Sequence, residues 1–72
     1  MADMGLAEIV GGNVRRLRLE RGMTQEDLAH RAEISVRFLS SVEHGRENIT
    51  LAVLERLSLA LGATPGHLLV AE

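Results

Sequence analysis

The stretch TQEDLAHRAEISVRFLSSVEHG, residues 24–45, decides the fold. Thr24, followed three residues on by Asp27, resembles a capping box with Asp in place of the usual Glu. It opens a short helix running through about Ala32. Ser35 is a second N-cap residue and starts a helix to about His44, where Gly45 stops it. Apolar residues at Leu28, Ala32, Ile34, Leu39 and Val42 give the pair a common buried side. The small Ala29 lets the two helices cross closely at a steep angle. Two short helices joined by a tight turn is the reading.

Upstream, Leu6, Val10, Val14 and Leu17 fall at helical spacing and end at Arg21-Gly22, where Gly suits the left-handed position after a helix. Gly11 and Gly12 each weaken that helix by roughly 1 kcal/mol relative to Ala, which leaves its start open. Downstream, Thr50 caps a fourth helix ending at Leu61-Gly62, and Thr64-Pro65 opens a short fifth toward Val70. No segment alternates with period two, and no internal repeat is present. The expectation is an all-α protein: a compact five-helix bundle, one domain over residues 1–72.

Composition agrees. Twelve Leu, eight Ala and six Val stand against one Phe and no Tyr or Trp, which is helix-forming material. A chain of 72 residues buries only about 60% of its unfolded surface, so a partner or staple matters. With no cysteine, disulfides and thiolate metal sites are excluded. The longest apolar run falls far short of the roughly 20 residues a membrane span needs, and no signal segment opens the chain. A cytoplasmic location is expected.

The net charge of −2 argues against a nucleic-acid partner, but its distribution argues the other way. All eight basic residues are Arg, and seven lie within residues 1–46. Arg15, Arg16, Arg18 and Arg21 face only Glu20 between residues 13 and 21, whereas residues 47–72 hold Arg56 against Glu47, Glu55 and Glu72. A binding face depends on its local field, not on the molecular sum. A solvated helix face produces the same count, so charge alone does not choose.

The pattern Thr24-Gln25-x-x-Leu28-Ala29, Ile34-Ser35, Leu39-Ser40-x-Val42-Glu43-x-Gly45 resembles the lambda Cro/phage-repressor-like (XRE) family of helix-turn-helix DNA-binding domains. Leu17-Arg18 and Gly22-Met23 look like that family's first-helix ending, and Leu54, Leu57, Ala60-Leu61 and Leu68-Leu69 like its closing helices. The likeness runs from about Val10 to Val70. EHGRENITL, residues 43–51, is most similar to short stand-alone members, including controller proteins of restriction–modification systems. The resemblance implies a lambda-repressor-like fold and a prokaryotic or phage regulator of transcription. It also implies a double-stranded DNA operator with two-fold-related half-sites, a homodimer associated with the nucleoid, and no cofactor or small-molecule ligand. Two departures stand out. Glu33 occupies the turn position where the family usually has Gly, so either the turn is strained or Glu33 avoids positive φ. After Arg46 come Ile49 and Leu51, where some members are basic.

Within the third helix, Leu39 and Val42 turn inward, while Val36, Arg37, Ser40 and Ser41 share the opposite face. These four are the candidate base contacts. Arg37 is the only long donor near the front of the helix, and its fork matches the O6 and N7 acceptors of guanine. Val36 either meets a thymine methyl or merely flanks the cap. Ser40 and Ser41 either approach base edges or fill surface, and Phe38 reads as packing. Thr24, Gln25, Ser35 and Arg46 are the candidate phosphate contacts, with the helix field favouring an anion at Gln25. On the family pattern Arg18 and Glu43 form a structural pair between helices one and three.

Other chemistries fit less well. Ser40, Glu43 and His44 offer a superficial nucleophile, acid and base, but neighbouring helix positions diverge by about 100° and so short a chain leaves little room for a cleft. No enzyme activity is expected. His30, His44 and His67 lack ligand spacing, so no metal site is expected either. The runner-up is a protein-interaction module, such as an antitoxin whose main partner is a toxin. The fourth helix carries more apolar residues than one buried stripe requires. Beyond Leu54, Leu57 and Leu61 it presents Leu59 in line with Ala52 and Ala63, which predicts a homodimer through helices at about residues 50–70.

Overall fold

The computed structural model describes residues 4–71, so the ends of the expected 1–72 domain lie outside the described residues. Five α-helices follow in order: α1 (Leu6–Glu20), α2 (Gln25–Ala32), α3 (Val36–Glu43), α4 (Leu51–Leu61) and α5 (Pro65–Leu69). Among the described residues there is no strand, and no helix is long and apolar enough to cross a membrane.

Local chemistry sets each boundary. The Thr24 hydroxyl accepts the Asp27 amide at 3.0 Å, and the Asp27 carboxylate accepts the Thr24 amide at 3.0 Å. Those bonds hold the Asp27 carboxyl below its usual pKa, the Thr24 amide contributing most. Ser35 caps α3 through the Phe38 amide at 3.0 Å, and Thr50 caps α4 through that of Val53 at 3.1 Å. Thr64 makes no side-chain cap, and Pro65 fills the first helical position instead.

The first four helices end in one motif, two amides reaching back to carbonyls left open by the last turn. After α2 these bonds run from Glu33 to His30 at 3.2 Å and from Ile34 to Ala29 at 3.0 Å. Their geometry requires a left-handed residue, supplied by Gly22, Gly45 and Gly62 after α1, α3 and α4. After α2 it falls to Glu33, at φ 58°. The turn is therefore the strained alternative, with Glu33 holding a conformation that costs a non-glycine residue about 1–2 kcal/mol.

Leu28, Leu39, Leu57, Leu61 and Leu68 are fully enclosed together with Val14 and Val42, and form the centre of the core. α1 packs against α3, α4 and α5, and α2 spans α3 and α4. Leu6 falls outside the buried stripe of α1 at 59% exposed, beside an apolar groove of about 160 Å³ that Leu51, Leu54 and Leu69 also line. Gly11 is not a weak point. A Cβ there collides with the Val42 carbonyl oxygen and stands 3.2 Å from the Gly45 nitrogen, so its bare backbone is what lets α1 and α3 approach. Asn13, also buried in α1, donates both amide protons to carbonyls within and just after α5, Leu68 at 3.0 Å and Val70 at 2.9 Å.

Candidate nucleic-acid interface

Helix α3 is held from behind by an ion pair. Arg18 of α1 approaches Glu43 through Nε at 2.7 Å and Nη2 at 3.0 Å, and its Nη1 donates to the Met23 carbonyl at 2.9 Å. Both side chains are almost fully enclosed, at 9% and 3% exposed. The hydrogen bonds that Arg18 donates to the Glu43 carboxylate raise its pKa further above its ordinary value, so this guanidinium stays charged. Gln25 joins them, its Nε2 donating to Glu43 Oε1 at 3.1 Å. One carboxylate thus gathers the start of α2, the end of α3 and the end of α1.

That bond qualifies the part expected of Gln25. Its amide group is half-buried and already gives one proton to Glu43, which leaves the second proton and the backbone N–H groups of the first turn for an anion. Thr24 and Ser35 are exposed, and their oxygens accept the cap bonds while each O–H remains free to donate outward. The first turn of α3 carries no acidic residue, so its positive end is uncompensated, whereas α2 begins with Glu26 and Asp27.

On the front of α3, Val36 is 38% exposed, Arg37 is exposed, and Ser40 and Ser41 are half-buried. The guanidinium groups of Arg37 and Arg46 make no hydrogen bond or ion pair among the described residues, in contrast to that of the committed Arg18. Arg46 is exposed one position beyond the left-handed Gly45, and its amide is fixed on the Ser41 carbonyl at 3.1 Å. Phe38 packs against the core. The superficial catalytic grouping does not assemble, because His44 meets the Ser40 carbonyl rather than its hydroxyl and Glu43 faces Arg18. Among the described residues no three His, Cys, Asp or Glu side chains cluster as metal ligands.

On α4, Leu59 is 74% exposed and Ala52 is open, whereas Ala63 is half-buried against the core. Leu51, at 83%, adds to the uncovered apolar surface. Ser58 belongs to the interior, its hydroxyl donating to the Glu55 carbonyl at 2.8 Å. Arg56 was not foreseen as a structural group. Its Nε donates to the Ala32 carbonyl at 2.9 Å, tying α4 to the end of α2 just before the strained turn.

A helix-turn-helix family model matches residues 14–68. An uncharacterized HTH-type transcriptional regulator, y4dJ of Sinorhizobium fredii, is 44% identical over 61 residues, 85% of this chain and 79% of that protein. The HTH-type transcriptional regulator DdrOP3 of Deinococcus deserti is 45% identical over 56 residues, 78% of this chain but only 43% of its relative. Among solved structures, the restriction–modification controller protein C.Esp1396I, a tetramer in complex with its natural 35-base-pair operator, superposes with a TM-score of 0.81. The two are 30% identical over 92% of this chain and 87% of that one.

Proposed function

This chain belongs to the helix-turn-helix family, and on that footing we propose that it is a sequence-specific, DNA-binding regulator of transcription that acts as a homodimer on a two-fold-related operator. The observation that carries the reading is the front of α3. Arg37 stands exposed and uncommitted on a helix anchored from behind by the Arg18–Glu43 pair. Such a helix fits the major groove, which is wide enough to admit it and presents a distinct donor and acceptor pattern for each base pair. Arg37 reads base edges, with Val36, Ser40 and Ser41 alongside. Thr24, Gln25, Ser35 and Arg46 hold phosphates on either side, which positions the helix but carries no sequence information.

The exposed Leu59 and Ala52 supply the dimer face on α4, which places one reading helix on each half-site. The protein works on the nucleoid, in the cytoplasm. Selection of bound sites from a random duplex pool tests the proposal. Recovery of a two-fold-related motif with half-sites about one helical turn apart supports it, and recovery of no common motif refutes it.

A further inference from the structure

The exposed line on α3 does not stop at Ser41. His44 lies seven residues beyond Arg37 and three or four beyond Ser41 and Ser40, so it continues the same helix face by one more turn. It is exposed, and its Nδ1 sits 2.7 Å from the Ser40 carbonyl oxygen. A carbonyl oxygen can only accept, so Nδ1 carries the proton and Nε2 is the ring atom left to face outward. The imidazole is therefore held in one tautomer and one orientation.

Building on the DNA-binding reading, we propose that His44 is a phosphate contact at the far end of the recognition helix, made through Nε2–H of the charged ring. A neutral ring leaves Nε2 as an acceptor, which has nothing to offer a phosphate oxygen. A protonated ring turns the same atom into a charged donor. The front of α3 meets base edges, so its last turn runs out toward the backbone. The charged groups around His44 support this assignment. Glu43 turns its carboxylate inward to Arg18, and the uncommitted Arg46 follows two residues on. Glu8 of α1 lies against Gly45 with its carboxylate accepting the Gly5 amide, and Glu47 is half-buried in the loop. The end of α3, with no basic residue of its own in the last turn, favours a cation at this place.

DNA affinity is then higher at pH 6 than at pH 8. The test is fluorescence anisotropy of the wild type on a selected operator duplex at pH 6 and pH 8, at fixed ionic strength, with His44→Gln, His30→Gln and His67→Gln in parallel. Circular dichroism at both pH values confirms that each variant is folded. The wild-type dimer should bind about a hundredfold tighter at pH 6, about tenfold for one charge-assisted hydrogen bond on each half-site. His44→Gln should lose that gain and match the wild type at pH 8, while the other two variants keep it. Tight binding with no difference between the two pH values, or a pH gain retained by His44→Gln, overturns the contact and leaves the DNA-binding reading standing. Absence of operator binding at both pH values overturns both.

Discussion

Gly11 and Gly12 are neighbours in α1, yet alanine at the two positions should act in opposite directions. Gly12 is exposed, and a Cβ there meets nothing within 4 Å. Gly12→Ala removes the entropic cost of glycine in a helix and should stabilise by about 0.5–1 kcal/mol. At Gly11 the new methyl runs into the Val42 carbonyl and crowds the Gly45 amide, and both are backbone that no rotamer change can move. Separating two packed elements in this way costs about 2–3 kcal/mol, the upper part of the overpacking range, which outweighs the propensity gain and leaves a net loss of about 1–2.5 kcal/mol. For a domain of this size, 1 kcal/mol shifts Tm by about 4–8 °C. Thermal unfolding followed by circular dichroism, at one fixed protein concentration, should place Gly12→Ala above the wild type and Gly11→Ala below it. The Gly11 variant should also bind operator more weakly where it is still folded, because α3 is set against α1 at this contact. Shifts of both variants in the same direction would refute the close approach of the two helices.

Removing either partner of the Arg18–Glu43 pair strands a buried charge. Glu43→Ala should cost about 3–5 kcal/mol by urea denaturation, while the double variant Arg18→Met with Glu43→Leu should recover much of that. Recovery of nothing would mean that Gln25 and the Met23 carbonyl, not the pair itself, depend on these groups. Glu33→Gly relieves the left-handed turn at a cost in chain entropy and should raise stability by about 0.5–1 kcal/mol; a lower Tm would show that the turn is not strained. Leu59→Glu should turn a dimer into a monomer in sedimentation, and a wild type that already sediments as a monomer contradicts the α4 interface.

Much of the fold was legible because its boundaries are set by local chemistry. Thr24, Ser35 and Thr50 cap helices as their sequence positions imply, and Gly22, Gly45 and Gly62 end them. The Arg18–Glu43 pair followed from family resemblance, since nothing local joins residues 25 positions apart. What stayed hidden depends on tertiary approach. Propensity marks Gly11 as a defect, and only the path of α3 reveals that a side chain has no room there. Asn13 did leave a signal, a polar residue between Val10 and Val14 on the buried side of α1, but its partners are the carbonyls of Leu68 and Val70. Arg56 reads as one charge on an apolar helix until the end of α2 is seen beneath it. Glu33 was a choice between two conformations, and the bonds closing α2 decided it.

The most direct test of α3 as the reading element compares Arg37→Ala with Arg46→Ala by anisotropy, on the selected duplex and a scrambled one at several salt concentrations. Arg37→Ala should cost about 1–3 kcal/mol on the selected duplex, little on the scrambled one, and relax preference at one base pair per half-site. Arg46→Ala should weaken both duplexes alike and reduce the salt slope by roughly 0.9 per half-site. Equal weakening of both duplexes by Arg37→Ala, with base preference intact, would contradict the assignment of Arg37 as the base-reading residue.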